Sequence, residues 1–514
     1  MAAITCNLMS DTTSASPPAS EASAASGNAD QVRRQREAVE RLAALPPVVS
    51  EGAIILGGLR HDYTVSAAFM PVAPDGLGSA GNSPDAAVFT TAYLKKGAAA
   101  AERPVCFAFN GGPGSASLWL HLGALGPKRV VIQDDGHAPA PPYAVVDNPE
   151  SWFEHFDLVF IDPPHTGWSL AASDEARKKM LSVDGDVQCL TEVMRLWLTR
   201  HQRWGSPVLL CGESYGTTRG AALADALQAA GVTLSGVILV SCAMDLQTIV
   251  FAPGNHLPYA LFLPAFANTA QYHGLLKGAI AQSSQAAREA AEEFAAGEYL
   301  AALHAGARLS HNQRSRVARR VAELTGLPRA LVEQHNLRIS DQAFFFEALR
   351  EQGRIVGRLE SRVTGPMGAT RSRNWEFDPG IDAIAGPYGM AGQAYFAGTL
   401  GLTMGQRYQT LNVEVNKGWN WNRGEAQGNG FACTTPDLAR ALRRNPHLKV
   451  LVASGRYDLG TPYSATDWSL AQLDVPPEVM SRVTHRYYDA GHMMYTRSTD
   501  LRQLKADVAA WWAA

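Results

Sequence analysis

The stretch Val208-Leu-Leu-Cys-Gly-Glu-Ser-Tyr-Gly-Thr-Thr-Arg-Gly-Ala-Ala222 decides the fold. Its four leading apolar residues predict a buried strand over 208–211, and the run after the glycines predicts a helix over 217–230. Between them lies Gly212-Glu213-Ser214-Tyr215-Gly216, a G-x-S-x-G. A serine on a tight turn from strand to helix has its hydroxyl thrust out of the chain, and flanking glycines keep that turn free of clashes. The pattern alone is weak in a chain with 46 glycines. Placed between a strand and a helix, it marks Ser214 as a candidate nucleophile rather than an ordinary glycine turn.

The same alternation extends outward from this turn. Strands are expected at 54–56, 63–70, 88–93 and 105–109, then at 158–161 and 237–241, with a long helix over 183–201. It resumes late, with strands at 449–453 and 483–488 and helices at 465–473 and 501–512. Strand–helix alternation at both ends predicts an α/β fold on a largely parallel sheet. The middle differs. Residues 265–360 are dense in Ala, Glu, Gln and Arg, with helical texture at 283–305, 313–325 and 339–352, while 365–435 are rich in Gly and Trp and read as loop. The expected organisation is a tail over 1–30, core over 31–250, a largely helical cap insertion over 251–445, and core again over 446–514. The tail is rich in Ser and Ala without periodicity and reads as disordered; a helix-prone stretch over 31–45 follows it, stopped by Pro46-Pro47. No internal repeat is visible.

Composition narrows the function. The 514 residues are 46% hydrophobic and 18% charged, with a formal net charge of -3. That supports a large core and gives no long basic run of the kind that neutralises phosphates, so a nucleic-acid partner is not expected. No apolar run is long enough to span a bilayer, and the first 30 residues show neither the basic nor the apolar region of an export signal. The expectation is a cytoplasmic enzyme; a start at Met9 would reopen export to the periplasm or beyond. The six cysteines include no C-x-x-C, so no zinc or redox pair is expected, and no disulfide scaffold. Gly76, Gly78 and Gly81 match G-x-G-x-x-G, but no helix pattern follows, which leaves a dinucleotide site unsupported.

A serine hydroxyl is barely ionised near neutrality and needs a base and an orienting group. Both candidates follow Ser214 in the order Ser…Asp…His. Asp458 ends the run Lys449-Val-Leu-Val-Ala-Ser-Gly-Arg-Tyr-Asp458, which puts a carboxylate just past a buried strand. His492 ends Tyr487-Tyr-Asp-Ala-Gly-His492, again just past a strand. Taken singly, Asp458 could be a turn former and His492 a surface histidine; Asp489 is a rival orienter. An oxyanion hole needs N–H groups fixed where charge develops. One comes from the residue after the nucleophile, Tyr215; the other comes from a loop after an early strand, where Gly112 stands in Asn110-Gly-Gly-Pro-Gly-Ser115.

Five blocks now stand in order: Asn110-Gly-Gly-Pro-Gly-Ser115, Ile161-Asp-Pro-Pro-His-Thr-Gly-Trp-Ser169, Gly212-Glu-Ser-Tyr215, Gly455-Arg-Tyr-Asp458 and Gly491-His-Met493. Together they resemble the serine carboxypeptidase family, from about residue 100 to the C-terminus. The resemblance implies an α/β-hydrolase fold with a helical cap, acting on peptide C-termini through an acyl-enzyme and without metal or organic cofactor. It makes Ser214 the nucleophile, His492 the general base and acid, and Asp458 its orienter. Gly112 and Tyr215 become the oxyanion hole, and Asn110 and Glu213 the binders of the substrate's terminal carboxylate. Trp119 and Met493 fall at pocket-wall positions, Trp119 being equally at home in core packing.

Three departures accompany the resemblance. The family carries a glutamate two residues before the Gly-Pro that closes its first block, sharing a proton with the glutamate beside the nucleophile; here Gly126-Pro127 follows Ala124. Ser115 stands where the family has a disulfide cysteine, and Gly216 where alanine is usual. The expected function is a serine-type carboxypeptidase taking a peptide or small acyl substrate. An esterase or acyltransferase on the same triad is the near alternative, kept open by Ala124, and a non-catalytic scaffold the distant one. Residue preference and oligomeric state are not legible.

Overall fold

The computed structural model describes residues 19–73, 83–423 and 430–514. The G-x-G-x-x-G at 76–81 lies outside them, as does Cys6. The main sheet runs through nine strands: β1 (Val48–Leu56), β2 (Leu59–Val72), β3 (Ala86–Lys95), β4 (Val105–Phe109), β5 (Asp157–Ile161), β6 (Val208–Glu213), β7 (Leu234–Val240), β8 (Lys449–Gly455) and β9 (Val483–Tyr488). Their order is β1-β2-β3-β5-β4-β6-β7-β8-β9, with the short strand Leu170–Ala171 pairing off the path onto β3. The first three strands and the β3–β5 pair are antiparallel; from β5 to β9 every neighbour is parallel. This is the α/β fold expected from the alternation.

The parallel strands read as unbroken apolar runs because both sheet faces are covered. β4, β5 and β6 are buried at every position. One face packs on the helices Val183–Arg200 and Tyr215–Ala229, the other on the C-terminal helix Ser498–Ala513 and the segment 118–125. The helix Val183–Arg200 has the spacing expected of it, with Val187, Leu190, Val193, Met194 and Trp197 all buried, and Ser182 caps its first turn. An N-terminal helix, Ala19–Ala43, begins inside the stretch expected to be a tail; residues 1–18 lie outside the description.

Between β7 and β8 the chain leaves the sheet. Helices Leu257–Tyr272, Ser284–Phe294, His311–Thr325 and Asp341–Glu347 enclose a hydrophobic cluster of their own. The three helical stretches expected here are found, the first as two helices joined by a π turn, Ala295–Tyr299. Two differences stand out. The segment read as loop holds a 16-residue helix, Pro379–Ala394, opened by the Asp378 side chain on the Gly380 N–H and by proline in the first turn. Its interior carries proline and several glycines, which hid it from a periodicity argument. The helix Thr435–Arg444 packs back on Tyr215–Ala229, so the excursion rejoins the core before residue 445.

Candidate active site

The turn after β6 has the geometry its sequence called for. Ser214 sits at φ 61° and ψ -130°, a region rarely used by side-chain-bearing residues and costing about 1–3 kcal/mol. The sheet holds it there: the Ser214 N–H donates to Val240 O at 2.9 Å and Ser214 O accepts from Thr217 N at 2.8 Å. A Cβ at position 212 would meet Gly216 O at 2.1 Å, which only glycine avoids. A Cβ at position 216, the alanine of the family, would approach Phe109 O to 2.8 Å. Glycine there matches a loop seated closer than alanine tolerates.

The loop after β4 lies directly on this turn. A Cβ at Gly111 would fall 2.4 Å from Tyr215 N, and Gly112 adopts φ +102°. Among the described residues, neither the Gly112 nor the Tyr215 N–H donates to a protein acceptor. Both residues line a cavity together with Ser214. Two unspent donors beside a serine match the needs of an oxyanion.

Beneath the turn lies a buried support that the sequence reading missed. Arg219 Nε donates to Asp186 Oδ2 at 2.7 Å, Tyr215 Oη donates to the same oxygen at 3.1 Å, and Arg219 Nη1 donates to Asn110 O at 2.7 Å. One guanidinium therefore ties the elbow helix to the glycine loop. Its signal was an arginine next to Gly220, Ala221 and Ala222 in the first half of the helix. The block Ile161–Ser169 is likewise a brace: Asp162 Oδ1 accepts from Ser117 N at 2.8 Å, and burial pushes its carboxyl up to about 7.

Asp458 and His492 come together at the C-terminal ends of β8 and β9. His492 Nδ1 and Asp458 Oδ2 are 2.7 Å apart, and both side chains are buried. The remaining lone pairs of Asp458 are filled by Gly460 N at 2.7 Å, Thr461 N at 3.0 Å and the Thr461 hydroxyl at 2.7 Å. Burial works against a charged imidazole, but the Asp458 carboxylate outweighs it, so the His492 pKa is raised. The rival Asp489 is exposed and faces Arg456 instead. Thr461 is a site residue the sequence did not reveal.

The insertion grips both of these loops. Leu459 N donates to Arg358 O at 2.9 Å, Ser361 N to Tyr457 O at 3.1 Å, and His492 N to Leu359 O at 2.6 Å. Gly491 N donates to Glu360 Oε2 at 2.9 Å, while Arg362 holds Glu360 and donates to Asp489 O at 2.7 Å. From the sheet side, the Ser241 hydroxyl donates to His492 O at 2.6 Å.

Ser214 opens onto two cavities. The larger, about 450 Å³, is mainly apolar, walled by Tyr215, Leu246, Ile249, Phe262 and Trp421. The second, about 310 Å³, gathers His492, Asn110, Glu213, Trp119 and Met493 around the same serine. Ser214, His492, Gly112, Tyr215, Asn110, Glu213, Trp119 and Met493 thus each border one cavity or both, and Asp458 is joined through His492. Trp119 serves the packing role as well, tilted against Tyr388 with ring centroids 4.8 Å apart and donating to Ser115 Oγ at 3.0 Å. Glu213 Oε1 accepts from Asn110 Nδ2 at 3.0 Å, and Asn110 Oδ1 accepts from Leu120 N. Burial raises the Glu213 carboxyl to about 7, against a smaller opposing effect of the His492 charge. Ala124 offers it no carboxyl partner; the buried Tyr495 hydroxyl acts on Glu213 instead, without well-formed hydrogen-bond geometry.

Residues 79–252, from before the glycine loop to beyond β7, match the family model described as serine carboxypeptidase. Over that stretch, about a third of the chain, the sequence is similar to the serine carboxypeptidase family. Among solved structures it is similar to Kex1Δp, a prohormone-processing carboxypeptidase from Saccharomyces cerevisiae, at 15% identity and a TM-score of 0.55, covering 88% of this chain and 91% of that one. That likeness fixes the α/β-hydrolase fold. A proline iminopeptidase from Mycobacterium smegmatis is similar at 12% identity and a TM-score of 0.36, over 87% of this chain and 97% of that one. No curated protein matches the sequence. Among the described residues, the five cysteines are unpaired, and no helix is long and apolar enough to cross a membrane.

Proposed function

We propose that the protein is a serine carboxypeptidase that removes C-terminal residues from peptides, with Ser214, His492 and Asp458 as its triad. The observation that carries this reading is the 2.7 Å His492–Asp458 contact bordering the cavity that holds Ser214, Asn110 and Glu213. Ser214 Oγ attacks the carbonyl of the last peptide bond while His492 Nε2 takes its proton. The tetrahedral oxyanion is received by the Gly112 and Tyr215 N–H groups. Collapse breaks the C–N bond, and His492 returns the proton to the leaving amine. Water, deprotonated by His492, then hydrolyses the acyl-enzyme. Asp458 keeps the imidazole in the tautomer that presents Nε2 to the serine and stabilises the imidazolium.

In this reading the apolar cavity takes the side chain on the acyl side of the scissile bond, and the smaller one takes the departing residue with its carboxylate on Asn110 and Glu213. Trp119 and Met493 wall the latter. The insertion that follows residue 250 and rejoins the core at the helix Thr435–Arg444 caps the core on either side of it, and the enzyme works with its thiols reduced, in the cytoplasm. Esterase activity on the same triad is the second reading, favoured by a Glu213 that has lost its carboxyl partner. Hydrolysis of N-blocked dipeptides, compared with their amides and esters, tests the choice. Higher kcat/KM on the free acids supports the carboxypeptidase; turnover of esters alone supports the esterase.

A further inference from the structure

Arg358 is the single Lys or Arg among the described residues lining the two cavities, and it lines both. It comes from the insertion, immediately before the Leu359 and Glu360 contacts to the histidine loop. Its backbone is fixed at both ends: the N–H donates to Asp378 Oδ1 at 3.0 Å, and the carbonyl accepts from Leu459 N at 2.9 Å. Its side chain is exposed, and the guanidinium makes no hydrogen bond or ion pair among the described residues. The Cζ lies 3.4 Å from where a Cβ on Gly460 would be, which places the charge beside the Asp458 loop, in cavities that Ser214 also lines. A planar fork of this kind suits a carboxylate, which it binds in two parallel hydrogen bonds.

We propose that Arg358 receives a substrate carboxylate next to the scissile bond, and so sets the specificity of the reaction. This rests on the carboxypeptidase reading and extends it. The carboxylate is the peptide's terminal one, or an acidic side chain of the residues flanking the bond; the chemistry of recognition is the same. The acids that face Arg358 do not consume it. Asp378 spends Oδ1 on the Arg358 and Gly380 N–H groups at a helix start. Asp341 accepts from Gln342 N, Asp458 is saturated around His492, and Glu213 is tied to Asn110. Burial also raises the Asp341, Asp378 and Glu213 carboxyls, which weakens their claim on the guanidinium. His492, the remaining titratable group, carries like charge when protonated, and its effect is common to every substrate.

The experiment measures kcat/KM from pH 5 to 9 for three N-blocked dipeptides: a free acid with a neutral last residue, its amide, and an amide whose last residue is Glu instead of Gln. The enzymes are wild type, Arg358→Gln and Arg358→Lys, each checked for an unchanged melting temperature. In the wild type the free-acid advantage persists as a plateau above pH 8, because guanidinium does not titrate. Arg358→Gln is expected to lose at least tenfold of the free-acid over amide ratio there, mostly through KM, and Arg358→Lys to recover part of it. A loss confined to the Glu amide assigns Arg358 to an acidic side chain and supports the same chemistry. Ratios for both carboxylate substrates unchanged in Arg358→Gln overturn the proposal while leaving the carboxypeptidase reading standing. A wild type that turns over only esters overturns both.

Discussion

The two halves of the site are held in different ways. Ser214, Gly112 and Tyr215 belong to two adjacent parallel strands and the turns that follow them, and their positions are dictated by glycines, sheet hydrogen bonds and the buried Arg219. Asp458 and His492 also stand at strand ends, yet the loops that carry them are tied to residues 358–362 of the insertion. The first half is a property of the core. The second is shared between the core and residues 358–362 of the insertion, so the insertion contributes to the order of the proposed triad as well as to the walls of the cavities.

The largest effect tests whether the two halves act as one unit. Ser214→Ala should lower kcat by roughly 10⁴-fold or more without loss of fold. Adding His492→Ala to it should cost almost nothing further, since the residues act on one proton transfer. Losses that simply multiply would separate the halves and remove the triad.

The difference between the halves also explains what could be read from sequence. The elbow half is legible because its constraints are local: G-x-S-x-G between a strand and a helix, and a glycine loop after another strand. The parallel strands are legible because burial on both faces makes them continuous apolar runs. Asp458 and His492 could be named from their strand-end positions, but not what holds them. Nothing in Arg358-Leu-Glu-Ser-Arg362 announces that a carbonyl and a carboxylate will meet Gly491 and His492, because such contacts are set by the return path of the chain. The helix Pro379–Ala394 was hidden for a different reason. Its buried face is made of Gly, Pro, Ile, Tyr and Ala, a pattern too small and too irregular for a helical period.

A second effect sharpens the comparison at its weaker half. Glu360→Ala removes the acceptor for Gly491 N and the partner of Arg362 together. At His492 the loop then keeps Leu359 O and the Ser241 hydroxyl, with Tyr457 N on Ala490 O and Arg497 on Asp489 O before it. Loss of a few tenths of an ångström in the imidazole position should lower kcat roughly ten- to a hundredfold, with KM little changed. Glu360→Gln can still accept from Gly491 and should recover part of it. Equal kcat in both variants and the wild type would show that the core alone orders His492.

Glu213 gives the third effect, with a sign fixed by its environment. Buried and raised to about 7, it is neutral below that pH and ionised above it. The neutral carboxyl tolerates or donates to a substrate carboxylate; the anion repels it. The free-acid over amide ratio should therefore fall as pH rises through about 7, towards the level that Arg358 sustains. In Glu213→Gln, which cannot ionise, the ratio should be flat across the same window, measured at substrate concentrations well below KM. A wild-type ratio already flat from pH 5 to 9 would remove Glu213 from control of specificity. Because His492 must be neutral for either substrate, its own titration cancels in the ratio.

The smallest effect concerns covalent restraint, where the halves should not differ at all. Cys106, Cys189 and Cys211 are buried in the core, burial raises their thiols well above the ordinary range, and Ser115 occupies the place of a family cysteine. A disulfide closing a long loop stabilises by roughly 2–4 kcal/mol, mainly by restricting the unfolded chain. Without one, reductant has nothing to release in the elbow half or in the insertion. The melting temperature with and without millimolar dithiothreitol should agree to within about 1 °C, since even 1 kcal/mol moves a domain of 150–250 residues by about 2–4 °C. Mass spectrometry after alkylation should find every thiol modified once the chain is unfolded. A drop of several degrees with reductant, together with unalkylated cysteine pairs, would mean that a bridge ties the two halves and that their difference is not one of hydrogen bonding alone.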